Sequence, residues 1–381
     1  MNNNTIYLAV TVAFMIGLAI IGIMISRGVK SSEDWMVAGK SLGKIPMAGT
    51  YFATIVSATS IMSYMGYYYL NGWPGWWNAA GTLMTSFLAC IYFARKVRQS
   101  ECNTLPEFIE KRYSRAFSIP ASLLVVLCCT ALLANQVTGA VILLQSFVDW
   151  STITCCVILL LVFIVFTCIG GMKAVAWTDT VCALVIIVGV WIIAGEFLFR
   201  VGGFTAMNEG IAAVDPEFVQ GFSVSIPPMT ALSWVITWGI CNFGAPQFVA
   251  RFMSAESPEV ASKSQGITGI GLLLFYVPLA IIGLCGILIH PGIEKQDAVF
   301  TTLIMSEVTP LMGAVMLAAV VAAIISTADS LLLLVATTFT HDFYCKVKSN
   351  VTDKEELLVS RVSTIVFGVG SVVLTFFIND T

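Results

Sequence analysis

Charge is scarce in this chain. Asp, Glu, Lys and Arg together make up 11% of its 381 residues, and there are only two histidines. Eleven cysteines occur singly or as neighbours inside apolar runs, as at Cys128–Cys129 and Cys155–Cys156, and no C-x-x-C pair is present. That spacing excludes a zinc ribbon and argues against a disulfide framework. With His290 and His341 alone, no metal motif or nucleophile–base arrangement stands out, so an integral membrane enzyme is a distant reading. A formal charge of −3 without a basic patch gives nucleic acid nothing to bind. The start, Met1-Asn2-Asn3-Asn4, lacks a basic n-region, so the first apolar run is expected to be a retained span and not a signal peptide.

What the chain has instead is hydrophobic residues, 58% of the total. A polytopic membrane protein is the class that composition defines. Runs long enough to cross a bilayer, about 20 residues, fall near 6–26, 47–70, 76–94, 117–147, 151–169, 175–199, 230–250, 265–290, 309–341 and 358–378. Placing the N-terminus outside puts every Lys and Arg except Arg200 and Lys295 on inner loops or inner span ends, as the positive-inside rule requires. An integral plasma (inner) membrane location with the N-terminus outside is the expectation.

The ninth run holds the stretch on which the rest depends. Ser326-Thr327-Ala328-Asp329-Ser330 places three hydroxyls and a carboxylate where a membrane helix ordinarily carries Leu, Ile and Val. One hydroxyl can back-bond to the carbonyl a turn earlier. A carboxylate with three hydroxyls inside five residues points to a cation path instead.

Two other runs are interrupted. The second, AGTYFATIVSATSIMSYMGYYYL, is small and polar through its middle, and the seventh, MTALSWVITWGICNFGAPQFVAR, carries Gly239, Gly244 and Pro246. Five spans apart, they run in opposite directions, which is the pointer to an inverted-repeat transporter. The expected fold is therefore all-α, one transmembrane domain over residues 1–381. It has an extra N-terminal helix (6–26), a first five-helix repeat (47–199) and an incomplete second repeat (230–378), as if truncated before the last core helix.

Sodium is a hard cation that takes oxygen ligands. Unwinding at ATIVSA would free the carbonyls of Ala53 and Val56, and the ninth span offers the Ala323 carbonyl with the Ser326 and Thr327 hydroxyls. Asp179, Asp329 and Ser330 are candidates for a second cation position or an exit path; Asp179 could equally face cytosolic water. The solute is expected beside both breaks, against Ser57, Thr59, Ser60 and Tyr64, Asn135 and Gln136, and Trp238, Asn242 and Gln247. Trp238 has a nearly equal reading as lipid-facing packing.

GGMKAVAWTDTV (170–181), FGAPQFVARFMSAES (243–257) and AAIISTADSLLL (322–333) resemble the sodium/solute symporter family, which includes bacterial proline, pantothenate, sialic-acid and sugar carriers. The resemblance implies a leucine-transporter-type fold and places the main sodium on Ala53, Val56, Ala323, Ser326 and Thr327. It also makes Asp179 the family acid linked to ion release, and to a second sodium in some members. Sodium is then the co-transported ion, and the partner is a small organic solute of organic-acid, amino-acid or sugar-like kind. Three departures stand out: Ile55 where proline carriers have an acid, Asn242 where they have an aromatic, and Cys182 in place of a common Gln. ATIVSATSIMSYMGYYYLNG looks closer to the pantothenate branch. The alternative function is the symporter-like sensor domain of a signalling kinase.

Overall fold

The computed structural model describes residues 3–26, 29–348 and 350–379, and within these the side chains at 58, 59, 169, 241, 242, 378 and 379 are left aside. The expected inner cation Arg27 and the Thr59 and Asn242 side chains lie outside the described residues. Among the described residues the chain is helical, and its one isolated β-bridge joins Leu42 to Ala255.

Twelve helices matter here: α1 Asn3–Ser26, α2 Lys44–Ile55, α3 Ala58–Asn71, α4 Trp77–Leu88, α5 Arg115–Gln145, α6 Thr152–Cys168, α7 Gly170–Arg200, α8 Pro228–Ile240, α9 Pro246–Ser254, α10 Pro258–Ile289, α11 Pro310–Thr338 and α12 Asp353–Asn379. Six of them (α1, α5, α7, α10, α11 and α12) are singly long and apolar enough to cross a bilayer, and the bent pair α2–α3 makes a seventh. The other three expected spans fall on α4, which continues through a π-turn at Ala89–Phe93, on α6 at 17 residues, and on the interrupted pair α8–α9.

Local chemistry sets the helix ends. Ser257 caps α10 by accepting from the Val260 amide, Ser151 caps α6 through Thr154, and Pro310 occupies a first-turn position of α11, where its missing N–H costs nothing. The fifth and sixth apolar runs have no separate loop between them; they meet at Gly171, whose φ of 58° only glycine adopts freely. A side chain there would also collide with Trp35, its Cβ lying within 3.0 Å of the Trp35 backbone.

Both expected interruptions exist. The α2–α3 pair bends by 58°, with Val56 and Ser57 non-helical between its halves. The second gap is a 3₁₀ turn at Cys241–Gly244 followed by extended Ala245, and Pro246 then starts α9. Leu42, just before α2, exchanges backbone hydrogen bonds with the strand-like end of α9: its N–H donates to Ser254 O (3.2 Å) and its carbonyl accepts from Glu256 N–H (2.9 Å). Toward the opposite end of the pair, Tyr67 of α3 packs edge-on against Trp234 in the middle of α8. The start of one broken span therefore meets the end of the other, and the two run antiparallel.

Candidate functional site: a polar seam on a buried helix

Helix α11 lies at the centre of the bundle, packed against α1, α5, α7 and α12, with α2, α3 and α9 touching it at the polar stretch. Every residue from Met316 to Thr338 is buried. Polar atoms there have no water to fall back on, so each needs a protein partner or a ligand.

The break in the second span supplies one such partner. In a continuing helix the Ser57 N–H would donate to Ala53 O; here it turns to Ile55 O at 3.0 Å. Ala53 O is left to the Thr327 hydroxyl, 3.2 Å away, and the same hydroxyl lies 3.0 Å from Ala323 O on its own helix. A hydroxyl has one proton and cannot serve two carbonyls at once. The structure thus gathers Ala53, Ala323 and Thr327 into one oxygen cluster with a deficit of positive partners. Val56, completely buried at the break, follows within a turn, and Ser326 lies beside Thr327 on the helix.

Asp179 does not face water. It is fully buried; its Oδ2 accepts from Thr50 Oγ1 at 2.6 Å and its Oδ1 from the Ser326 hydroxyl. Asp329 and Ser330 turn elsewhere. Asp329 accepts from Thr167 on α6 at 3.0 Å, while Ser330 accepts from Arg251 of α9, which also donates to Gln247 O at 3.3 Å. Of the proposed second set, Ser326 and Asp179 meet directly and the other two have separate partners.

Arg251 corrects the sequence reading. Counted there among the cations of inner loops and span ends, it is wholly buried, and its charge acts on Asp179. Arginine holds its proton in almost any surroundings, so this positive charge is fixed. Thr50 and Thr167 were also missed. Each is a lone hydroxyl in an apolar run, with nothing in its neighbourhood to separate it from ordinary back-bonding threonines.

Beside the oxygen cluster lies a cavity of about 240 Å³. Ser57, Ser60, Tyr64, Asn135, Gln136, Trp238 and Gln247 line it, as expected for solute contacts, and Thr327 forms part of its wall. Thr54, Ile55, Thr82, Leu132, Phe248 and Leu331 complete it and were not foreseen. The Oε1 atoms of Gln136 and Gln247 are buried without a hydrogen-bond partner, whereas Ser60 is satisfied by Ile55 O at 2.6 Å. Among the described residues no Lys, Arg, Asp or Glu lines the cavity. Trp238 is 40% exposed, so it serves the cavity wall and the periphery together.

A membrane bundle with two antiparallel broken helices around a polar cavity has the architecture of a secondary transporter. Comparison with known proteins specifies which. The sequence model of the sodium:solute symporter family matches residues 35–381, and the chain belongs to that family. It is a sodium-coupled symporter of a small solute and not an enzyme. The sodium/proline symporter of Escherichia coli (strain K12) is 26% identical over 381 residues, covering 95% of this chain and 75% of that protein. That of Haemophilus influenzae is 27% identical, covering 93% and 74%, and that of Staphylococcus aureus 24%, covering 98% and 76%. A Na⁺-coupled sialic acid symporter, solved in a substrate-bound outward-open state, superposes with a TM-score of 0.85 over 98% of this chain and 81% of its own, at 20% identity. That likeness establishes the shared fold.

Proposed function

We propose that sodium binds among the carbonyls of Ala53, Val56 and Ala323 and the hydroxyls of Ser326 and Thr327, and that the solute occupies the adjoining cavity. The observation that carries this reading is the single Thr327 hydroxyl set between two carbonyls on different helices. A cation there satisfies both oxygens at once and ties α2 to α11. Binding then favours whichever transporter state brings those helices together, by the difference in affinity between states. Asp179 with Ser326, and Asp329 and Ser330 beyond them, supply the acids and hydroxyls of a second cation position or of the ion's way out.

The solute is placed against Ser57, Ser60, Tyr64, Gln136, Trp238 and Gln247, with Thr59 and Asn242 assigned from sequence. A wall of neutral hydrogen-bonding groups suits an amino-acid or sugar-like solute, since a strongly anionic one would need a fixed counter-charge. Import across the inner membrane, with the N-terminus outside and an inverted repeat rocking about the site, completes the reading.

The test is uptake into proteoliposomes of radiolabelled proline, pantothenate, N-acetylneuraminate and glucose, each with and without an inward sodium gradient. Accumulation of one of them that collapses when potassium replaces sodium is the expected result. Accumulation of a solute at the same rate without sodium would overturn the sodium assignment.

A further inference from the structure

A second, unrelated recess lies where the first half of the broken second span meets the outside of the bundle. The backbone bridge between Leu42 and the end of α9 sets Lys44, at the start of α2, beside Glu256. Together with Gly43, Pro46, Trp177 and Glu259 they line an open groove of about 580 Å³. Lys44 and Glu256 are exposed, share this groove, and make no ion pair among the described residues, while Glu259 is already paired with Lys263 at 2.6 Å. Gly43 gives the first turn of α2 no side-chain cap, so its leading amides have no side-chain acceptor.

From Ile45, common to both, the groove continues as an almost wholly apolar trough of about 220 Å³ between α2, α7 and α10. Ala48, Phe52, Leu184, Ile187 and Gly271 form its walls. Gly49 keeps α2 close to α7 here, a Cβ at that position falling 2.7 Å from the Thr180 backbone. Trp177, 40% exposed at the polar mouth, has the amphipathic character of residues that sit at headgroup level.

We propose that this recess binds a phospholipid carrying a primary ammonium, of the phosphatidylethanolamine kind. The phosphate sits at Lys44, the ammonium donates to Glu256, whose Oε2 lies 4.0 Å from the Cβ position of Gly43 at the start of α2, and one acyl chain lies in the trough. The charges decide the headgroup. A cation and an unpaired carboxylate in one groove complement a zwitterion, whereas a headgroup that is only anionic leaves Glu256 without a partner. Carboxylates also distinguish an ammonium that can donate hydrogen bonds from a quaternary one that cannot.

Native mass spectrometry of the detergent-purified protein, offered phosphatidylethanolamine, phosphatidylcholine and phosphatidylglycerol of identical acyl chains, tests this. The expected result is retention of the ethanolamine lipid about tenfold over either other, the scale of one charge-assisted hydrogen bond. The surface variant Lys44→Ala/Glu256→Gln should abolish the preference. Gly271→Leu, which projects into the trough where a Cβ already stands 3.5 Å from Phe52, should lower retention of all three. Equal retention of the three lipids, or a preference that survives Lys44→Ala/Glu256→Gln, overturns the proposal. Binding of ²²Na⁺ measured on the same samples separates it from the sodium reading: lost sodium binding with the lipid preference intact refutes only the latter.

Discussion

Helices α1 and α11 are both long, apolar and uncharged through most of their length, yet they sit in opposite surroundings. In their most apolar stretches 17% of α1 residues are buried, against 83% of α11. Hydropathy places both in the membrane and cannot tell them apart, because lipid and protein interior are equally dry. What separates them is polarity. In α1 only Thr11 among buried residues carries a hydroxyl side chain apart from Tyr7, whereas α11 carries Ser326, Thr327, Asp329 and Ser330 within five residues. A polar side chain inside the hydrocarbon depth has to face the bundle, so the polar residues of a span report which side of it is protein.

That contrast breaks most visibly at Arg251, the fixed charge that faces the α11 seam. Arg251→Ala removes the donor to Ser330 and leaves Asp179 buried without its nearby cation. Losing a buried hydrogen bond from a charged donor costs about 1.5–3 kcal/mol. We expect a drop in thermal unfolding temperature well beyond that of any α1 variant, with transport lost. A variant unfolding at the wild-type temperature would mean that the seam tolerates an unbalanced carboxylate.

Next in size come the hydroxyls of the seam itself. Thr327→Ala and Ser326→Ala are each expected to raise the sodium concentration for half-maximal ²²Na⁺ binding about tenfold, or about 1.4 kcal/mol. Thr11→Ala on α1 should leave it unchanged. Equal sodium binding in all three variants would erase the functional distinction between the two helices. Gln136→Ala reports on the cavity instead: the solute KM rises while sodium binding holds, since the unpartnered Oε1 of Gln136 belongs to the cavity and not to the oxygen cluster.

Where α11 leaves the bundle, its continuation meets a different kind of polar contact. His341 lies 3.6 Å from Glu107 on the short helix Leu105–Arg112 and 3.5 Å from Glu356 on α12. Burial by itself would raise the Glu107 carboxyl; His341, the Asn103 amide and Lys111 outweigh it and hold it at about 2. A carboxyl depressed on folding stabilises the protein above its unfolded value of 4.5, and that contribution is lost as pH falls from there through about 2. Half-buried and screened, it is worth about 1 kcal/mol. Glu107→Gln should therefore destabilise at pH 7 and flatten the decline of unfolding temperature between pH 4.5 and 2, whereas an unchanged acid slope would remove Glu107 from that contact.

How much of this was written in the sequence follows from the same physics. Interruptions at Val56–Ser57 and Cys241–Ala245 were legible because Gly, Pro and hydroxyls mark a broken helical ladder locally. The antiparallel course of the two broken spans was legible from their odd offset. Thr50, Thr167, Thr82 and the burial of Arg251 were not, because each depends on a partner 79 or more residues away or on the far wall of a cavity. An Arg near a span end looks alike in sequence whether it reaches water or a buried serine. Asp329 and Ser330, adjacent in sequence to the oxygen cluster, turn to α6 and α9 because successive helical positions point about 100° apart.

The smallest expected effect lies on the outer face of α1. Ile16 is 55% exposed, so lipid tails form much of its surroundings. Ile16→Val leaves no cavity that lipid cannot fill, and the unfolding temperature should match a change within about 0.5 kcal/mol. The matched change on α11 is Ile324→Val, at a residue with no exposure, where a lost methylene costs about 0.5–1.5 kcal/mol because the packed neighbours relax only in part. Measured together under one detergent, the pair isolates burial from hydropathy. If both variants shift the transition equally, α1 is packed against something other than lipid on that face.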